Sequence, residues 1–554
     1  MENKTLTPWQ RFVGLVKLEK KDILQIVYYA VFGGFVALTL PLGIQAIINL
    51  IQGAQVSTSW IILVVVVTLG VTFSGALQLM QLRIIETVQQ RIFMRSAFEL
   101  SYRFPKMKMD ELRNYYPPEL ANRFFDTLTI QKGLSKILID VPTALLQIIF
   151  ALILLSFYHP FFIIFGILLL LLIFIVFKFT AKRGLETSLI ESKYKYKVAH
   201  WIQEVARTVV SFKLSGNTNL ALSKNDSLVS DYLEARESHF KILILQFTQM
   251  IGFKVVVTAS LLLIGGALVL NQEMNIGQFV AAEIIILLVI ASVEKLLVSL
   301  ESFYDVLTSI EKIGQVVDKA LESQNGEKPM FKDGLTLELD NVSYTVKDRN
   351  EAIIKNISLT LKPKSRVLVV GESGAGKSTL LRLISGVIQP TSGNAYVNNL
   401  SLNSLHLNHY RSQLGLSLSD ETPFEGSIRD NLVFGNKEVH DDTIYKALEN
   451  VGLGQFVKEQ PDGLNTILYP EGKQMSYTVG KKIILARAII KQPKVMILED
   501  PLDQFNMEET VNIIRYLTDE KRPWSLIVVS SKKSWQTQCS QTIVLDKGEI
   551  KSVK

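Results

Sequence analysis

The chain has 554 residues, too many for a single hydrophobic core, so at least two domains are expected. Hydrophobic residues make up 48% of the sequence and are concentrated before residue 300, which excludes a uniformly water-soluble protein. The net charge of +7 does not indicate nucleic acid, because membrane proteins collect Lys and Arg on their cytoplasmic side, and no nucleic-acid partner is expected. The single cysteine, Cys539, excludes an internal disulfide and a CxxC metal site.

Six membrane-spanning helices are predicted before residue 300. The uncharged run from Ile23 to Leu82 is roughly three times the length of one spanning helix, and a polar turn at residues 49–58 divides it into two. A second uncharged run, residues 141–177, is divided in the same way at residues 158–160. A third pair of spans flanks the polar residues 271–276.

The long segments between spans decide the orientation. Residues 83–136 and 178–243 are rich in Lys and Arg, whereas the short turns carry neither, so the long segments and both termini are predicted in the cytoplasm. Their helical periodicity predicts that the membrane helices continue well past the lipid. A soluble helical bundle is the alternative, but it would need polar faces that these spans lack.

Three charged residues lie in or beside the predicted spans, and their roles stay open. Lys254 and Glu294 fall at similar depth near the inner side, either as an ion pair or on helical extensions beyond the lipid. Glu283 lies nearer the outside with no partner in the sequence, so it is predicted to face a central cavity.

A phosphate-binding loop follows in the last part of the chain, where short β-branched strands alternate with helices. A strand at residues 366–370 precedes the sequence GESGAGKST, which matches the G-x-x-x-x-G-K-[ST] pattern and opens a helix. Its backbone N–H groups can cradle phosphates, while Lys377 reaches the β and γ oxygens and the Ser378 hydroxyl holds Mg²⁺. The predicted ATP contacts are Gly371, Glu372, Ser373, Gly374, Ala375, Gly376, Lys377, Ser378 and Thr379.

These features, with IILARA at 483–488 and VMILED at 495–500, resemble an ABC transporter of the exporter type. The resemblance covers nearly the whole chain and implies one membrane half joined to one nucleotide-binding domain. Residues 1–325 would form an α-helical membrane domain with six spans, and residues 326–554 an α/β P-loop ABC ATPase domain. It further implies a dimer with two Mg-ATP molecules sandwiched between facing domains, and short coupling helices near residues 117–122 and 216–223. The membrane half looks most like type I secretion and peptide-exporting members.

The signature motif departs from the family pattern. The LSGGQ sequence of the family falls on residues 475–479, which read MSYTV, so only Ser476 is retained as a nucleotide contact. The family's glycines let backbone N–H groups approach the γ-phosphate bound by the opposite subunit. The side chain of Tyr477 would obstruct that approach.

The acidic pair after the buried strand is transposed relative to the family's Asp-Glu order. Glu499 takes the magnesium position beside Ser378, and Asp500 takes the general-base position, each displaced by a methylene. An error near ~1 Å in a catalytic group can cost about a hundredfold in rate.

Three further positions depart from the family. Ser531 stands at the switch-histidine position, and Ser419 stands at the position of the glutamine that bridges the γ-phosphate and the coupling helices. The adenine-stacking aromatic maps to Val346, and Tyr344, two residues away, would point to the same side of a strand and offer a substitute stack.

The departures beside an intact phosphate loop predict a domain that binds ATP and Mg²⁺ with weak or absent hydrolysis. The alternative is a normal, slow ATPase in which Asp500 still serves as the base.

The predicted function is that of a half-transporter coupled to export of a peptide, protein or amphipathic substrate. A heterodimer with a catalytically competent ABC half is favoured, and a homodimer is the second arrangement. The alternative of a different class is a non-pumping membrane receptor or regulatory scaffold with ATP as a structural ligand. The expected setting is a bacterial inner membrane, with the lipid and a periplasmic adaptor as further partners, and the sequence gives no substrate.

Overall fold

The computed structural model describes residues 6–53, 58–332, 334–346 and 349–554, without the side chains of residues 172 and 175–177. The chain divides into two compact units. The first comprises Met1–Lys106 with Asn114–Lys319, and the second comprises Met107–Arg113 with Ala320–Lys554. The domain limits at residues 325 and 326 stay a prediction.

The chain up to residue 319 is helical. Its α-helices are α1 (Pro8–Leu18), α2 (Lys20–Ala37), α3 (Thr39–Gln52), α4 (Thr58–Arg103), α5 (Met109–Leu112), α6 (Pro117–Ala121), α7 (Asp126–Ser156), α8 (Phe161–Arg207), α9 (Val209–Leu214), α10 (Leu220–Ser260), α11 (Gly266–Leu270) and α12 (Ile276–Val317). A π-helical turn, Leu261–Gly265, joins α10 to α11. Of these helices, α5 belongs to the second unit.

The apolar helices follow the predicted order of spans. Within the described residues, five stretches are long and apolar enough to cross a membrane: Lys20–Gln52, Thr58–Lys106, Pro117–Ser156, Leu220–Leu270 and Ile276–Val317. The fourth predicted span falls on α8, whose first part, Phe161–Leu171, is a shorter apolar stretch. Residues 54–57 of the first predicted turn lie outside the described residues. The 46 residues of α4 and the 47 of α8 far exceed one bilayer crossing of ~20 residues, as the helical reading of the long segments predicted.

Helix α12 forms the centre of the first unit because it is apolar on several faces. Its N-terminus is fixed by a capping box, in which the Asn275 side chain accepts from the Gln278 N–H and the Gln278 side chain accepts from the Asn275 N–H. Ile285 and Val289 on α12 are fully buried with Ile148 of α7 in one apolar cluster. Both helices belong to stretches apolar enough to cross a membrane, where close van der Waals packing, and not removal of apolar surface from water, holds helices together.

The predictions about Lys254, Glu294 and Glu283 have different outcomes. Lys254 is exposed and Glu294 is half-buried, and the ion pairs of the described residues include none between them. Glu283 is also half-buried, so its predicted orientation toward a cavity stays a prediction.

A short helix, α6, lies where the first coupling helix was expected, but residues 216–223 are not a separate helix. Gly216 has a left-handed φ of 70°, which ends the preceding short helix α9, and the long helix α10 already begins at Leu220.

The second unit is an α/β domain. Its strands are β1 (Leu337–Tyr344), β2 (Ile354–Leu361), β3 (Arg366–Val370), β4 (Ser392–Val397), β5 (Leu400–Ser401), β6 (Leu414–Ser417), β7 (Gly426–Ser427), β8 (Ile467–Leu468), β9 (Val495–Glu499), β10 (Ser525–Val529), β11 (Gln541–Asp546) and β12 (Glu549–Val553). Its helices beyond α5 are α13 (Lys377–Ile384), α14 (Leu407–Ser412), α15 (Ile428–Val433), α16 (Asp441–Asn450), α17 (Gly454–Glu459), α18 (Tyr477–Ile490) and α19 (Met507–Thr518).

The larger sheet positions the functional residues. Its strand order is β12-β11-β3-β10-β9-β6, with β11, β3, β10, β9 and β6 parallel and β12 antiparallel at the edge. The central strands are apolar and buried on both faces, as is usual for parallel strands under helices. The carboxyl ends of parallel strands lie along one edge of the sheet, where α/β proteins bind their ligands. The residues that follow β3, β6, β9 and β10 therefore converge there.

Candidate nucleotide site

The phosphate loop connects β3 to α13, as the motif requires. Gly376 adopts a left-handed φ of 99° immediately before the helix, a conformation that disfavours any residue with a Cβ. A Cβ on Gly371 would lie 2.2 Å from the carbonyl oxygen of Leu545. Only glycine, which has no Cβ, therefore allows this close approach of the two backbones. These glycines leave the N-terminus of α13 open to an anion.

Lys377 crosses this loop. Its Nζ donates to the carbonyl oxygens of Gly371 at 2.8 Å and Glu372 at 2.7 Å. Ala375 is buried, and its carbonyl accepts from the Gly548 N–H at 3.1 Å, which anchors the loop to the turn between β11 and β12.

The other loop residues leave the mouth of the loop accessible. Ser373 and Gly374 are exposed at its tip, and Thr379 lies half-buried in the first turn of α13. All nine residues predicted from the motif thus lie on one continuous strand-loop-helix segment.

Glu499, at the end of β9, connects three elements. Its Oε1 accepts a hydrogen bond from the Ser378 hydroxyl, and its Oε2 accepts from the Ser419 hydroxyl at 2.9 Å and the Ser419 N–H at 3.2 Å. Glu499 is 5% exposed, so this carboxylate is almost wholly enclosed by its donors. The predicted magnesium residues, Ser378 and Glu499, are in direct contact.

This oxygen set fits Mg²⁺, which prefers hydroxyl, carboxylate and phosphate oxygens. Ser378 and Glu499 supply a hydroxyl and a carboxylate at the base of a glycine-lined loop that admits phosphates. A bound Mg²⁺ would supply charge neutralisation between phosphate oxygens, as it does in other phosphate-loop proteins.

Asp500 lies at the surface immediately after β9. Its backbone has a left-handed φ of 39°, and its N–H donates to the Val529 carbonyl at 2.9 Å. Loss of hydration raises the pKa of the Asp500 carboxyl above its ordinary value, and a hydrogen bond from the buried Ser530 hydroxyl opposes that rise. Ser530 is the residue after β10, so groups at the ends of two neighbouring strands determine the pKa of Asp500.

Ser531, at the switch-histidine position, makes no hydrogen bond among the described residues and is exposed. A serine side chain is shorter than an imidazole and is not a base near neutral pH. The structure thus brings Asp500 close to Ser530, and not to a group able to exchange a proton with it.

The signature residues form the start of α18. The Ser476 hydroxyl caps the helix by accepting from the Val479 N–H at 3.4 Å, and it lies 3.0 Å from the Thr478 hydroxyl. Tyr477 is 49% exposed at the start of the helix, and its obstruction of the signature stays a prediction. Ser476 lies apart from the Glu499 cluster and makes no contact with it among the described residues.

The prediction that Tyr344 offers its ring to adenine is wrong for this structure. Tyr344 is 7% exposed and packs in the core with Val346, so neither ring face is available. Its hydroxyl donates to Asp110 at 2.7 Å, and burial with this bond raises the pKa of Tyr344 to about 12. The two residues do share a face, as the alternation predicted, but it is the inward face.

An open pocket of about 460 Å³ adjoins the phosphate loop at Gly374. Its lining comes from the segment before β2, from Lys355 on β2 and from the turn after β11, and contains the cations Arg349, Lys355 and Lys547. No aromatic ring of the described residues lines it.

Sequence reasoning missed two residues of the site. Lys481 on α18 donates to the Ser419 carbonyl at 2.8 Å, and Ser530 opposes the rise in the pKa of Asp500. The signal for Lys481 was available, because a charged pair at 481–482 precedes an otherwise apolar helical run. Burial of such a charge requires a partner.

Two family models match the chain. The model described as ABC transporter transmembrane region matches residues 23–293, and the model described as ABC transporter matches residues 354–503. The chain belongs to the ABC transporter family. The second match implies ATP binding, and the first, with the apolar helices, identifies an integral membrane protein. The predicted family and fold class are confirmed.

Relatives of this ABC transporter chain include translocation proteins. It is 27% identical over 315 residues to the alpha-hemolysin translocation ATP-binding protein of Escherichia coli O6:H1, covering 54% of this chain and 45% of that protein. It is 28% identical over 299 residues to the toxin RTX-I translocation ATP-binding protein of Actinobacillus pleuropneumoniae, covering 54% of this chain and 42% of that protein. The chain spans about half the length of these curated relatives.

The fold is shared with solved exporters. A structure described as a bacterial Atm1-family ABC exporter with ATP bound has a TM-score of 0.85 to this chain at 16% identity, covering 97% of this chain and 95% of that one. At this identity the likeness shows the fold alone. ABC half-transporters of this architecture typically dimerise.

Proposed function

We propose that this chain is one half of a dimeric ABC exporter that binds Mg-ATP and hydrolyses it slowly or not at all on its own. The observation that carries the proposal is the asymmetry around Glu499 and Asp500. The Ser378 hydroxyl and Glu499 are in direct contact beside the phosphate loop, whereas Asp500 and the switch-position residue Ser531 are both exposed.

Binding depends on groups that this chain supplies complete. Lys377, the loop N–H groups and the start of α13 provide charge-assisted contacts for phosphates. Turnover depends on a positioned base together with stabilisation of the transferred phosphoryl group. Asp500 is one methylene shorter than the family's glutamate, and Tyr477 projects from the signature helix that would meet the partner's nucleotide.

The nucleoside end of ATP would occupy the pocket beside Gly374. With Tyr344 and Val346 buried, the planar guanidinium of Arg349 is the candidate to stack on adenine in place of an aromatic ring. Arg349→Ala should then weaken binding of ATP more than binding of inorganic triphosphate.

Export of a peptide or protein is the transport function best supported, because the relatives named above are toxin translocation proteins. A competent partner chain in the same inner membrane, with cytoplasmic termini and a periplasmic adaptor, would complete the assembly. Under this proposal the partner supplies most of the hydrolysis.

The experiment uses the purified full-length chain in lipid nanodiscs. Equilibrium binding of a fluorescent ATP analogue should show Mg²⁺-dependent affinity, and ATP bound for an hour should be recovered largely as ATP. Failure of the wild-type chain to bind the analogue would refute the proposal.

A second chain with an intact signature, glutamate base and histidine provides the test of pairing. Turnover that appears when this chain is mixed with it supports the heterodimer. Tight binding without turnover or transport in any pairing would instead support the non-pumping receptor or scaffold.

A further inference from the structure

A buried lysine on the signature helix contacts the loop that holds Glu499. Lys481 is 5% exposed, and its Nζ donates to the carbonyl oxygen of Ser419 at 2.8 Å. The same ammonium lies 5.6 Å from the centre of the Tyr477 ring, one turn earlier on α18. Lys481 therefore connects the start of the signature helix to the segment after β6.

Ser419 lies between this cation and the site carboxylate. Its carbonyl accepts from Lys481, while its N–H and hydroxyl both donate to Glu499 Oε2. The other oxygen of Glu499 accepts from Ser378. Each contact in the series Lys481, Ser419, Glu499, Ser378 is a hydrogen bond, and its two charged members, Lys481 and Glu499, are both buried.

The cation has no carboxylate partner of its own. The ion pairs of the described residues include none for Lys481, although a buried ammonium is costly without compensation. The Ser419 carbonyl and the face of the Tyr477 ring are the compensating groups that the structure provides.

We propose that Lys481 is a positioning residue for the metal side of the nucleotide site. By holding the Ser419 carbonyl, it orients the Ser419 N–H and hydroxyl, and these fix the Glu499 carboxylate against Ser378. Residues that orient a metal ligand from outside the coordination sphere commonly affect metal affinity. This inference rests on the proposed binding of Mg-ATP.

Lys482, the next residue, provides a matched control. It is 7% exposed on the same helix, and its Nζ donates to Glu509 at 2.6 Å and to the Gly452 carbonyl at 3.4 Å. It is thus an equally buried lysine with bonds to other elements and none to Ser419. Loss of either lysine should lower the stability of the fold, but only loss of Lys481 should change the orientation of the Glu499 carboxylate.

The experiment measures the affinity of a fluorescent ATP analogue for the full-length chain in nanodiscs, with Mg²⁺ and with a chelator. Lys481→Met should reduce the gain in affinity that Mg²⁺ provides by on the order of tenfold. Binding without metal should change less than about twofold, because the phosphate loop is untouched. Lys482→Met should leave the Mg²⁺ gain unchanged, and Lys481→Arg, which keeps a charged donor, should retain most of it.

A double-mutant cycle separates positioning from general stability. In a chain that carries Glu499→Gln, the further change Lys481→Met should have no effect on the Mg²⁺ gain, because the group through which it acts is already altered. Thermal unfolding of each variant identifies any that fail to fold, and Lys481→Leu, which also removes the hydrogen-bond donor, replaces Lys481→Met in that case.

The outcomes are distinguishable. A wild-type chain that binds no nucleotide overturns both the proposed function and this inference. A wild-type chain with a normal Mg²⁺ gain that Lys481→Met leaves intact overturns this inference alone. Equal loss of affinity with and without metal, or the same loss from Lys482→Met, would also overturn it by assigning Lys481 a purely structural role.

Discussion

Two sides of one sheet edge differ in how completely they are built. On the phosphate side, the Lys377 ammonium bonds to carbonyls of an open loop, and the Ser378 hydroxyl bonds to Glu499, which is 5% exposed. On the opposite side, Asp500 and Ser531 are both exposed, and Ser531 makes no hydrogen bond within the described chain. This difference indicates that the residues that bind ATP are largely separate from the residues that cleave it. One set can therefore be lost while the other is kept.

The contrast between the two sides of the sheet edge is clearest at two consecutive residues. Glu499 and Asp500 are consecutive, yet the first is 5% exposed at the end of β9 and the second turns outward with a left-handed backbone. Because β9 ends at Glu499 and the left-handed φ of 39° turns the chain out of the strand at Asp500, the two carboxylates have different surroundings.

The largest effect is expected from the phosphate loop itself. Lys377→Ala should weaken ATP binding by on the order of a hundredfold or more, because it removes a charge-assisted contact to the phosphates. Equilibrium binding of a fluorescent ATP analogue measures it. Lys437→Ala, an exposed lysine outside the site, is the control and should bind normally.

The next prediction compares the two consecutive acids. Glu499→Gln should lower the Mg²⁺-dependent gain in ATP affinity by about ten- to a hundredfold, since it removes a metal ligand's charge. Asp500→Asn should change the same quantity less than about twofold, because the Ser378 hydroxyl bonds to Glu499 and not to Asp500. Equal effects from the two variants would contradict the division of the site into two sides.

Repair of the attack side should be cooperative. Asp500→Glu alone or Ser531→His alone should raise single-turnover hydrolysis less than about threefold, because base, switch residue and signature act as a unit. The double variant should exceed the product of the two single effects. A large gain from either single change would show that one substitution, and not a set, limits the rate.

The smallest predicted effect concerns pH. The pKa of Asp500 is raised by desolvation, so a base at this position loses its function as pH falls through that raised value. The hydroxyl of Ser530 stabilises the ionised carboxylate, so Ser530→Ala should raise the pKa further and move the acid limb of single-turnover hydrolysis to higher pH. Ser534→Ala, in the nearby turn, should leave the limb in place, and a shift to lower pH for Ser530→Ala would refute the assignment.

The sequence predicts local features of this molecule well. The phosphate loop is recognisable because strand, glycines, Lys377 and helix lie within a short segment, and the contact of Ser378 with Glu499 follows from the family spacing. The spans are recognisable because uncharged runs of this length leave few alternatives.

Features that depend on tertiary placement were not predictable. Alternation showed that Tyr344 shares a face with Val346, but the choice of the inward face depends on Asp110, which lies 234 residues earlier. Likewise, the sequence places Lys481 and Lys482 side by side, and only the packed structure assigns one to Ser419 and the other to Glu509.

Single-turnover hydrolysis by the purified full-length chain, with ATP binding measured on the same sample, tests the central claim most directly. We predict saturable Mg-ATP binding with a hydrolysis rate far below the ~1 s⁻¹ that marks the slow end of typical enzymes. A rate of about 1 s⁻¹ or more that Asp500→Asn abolishes would contradict the account, because it would show that the attack side of the site is competent as it stands.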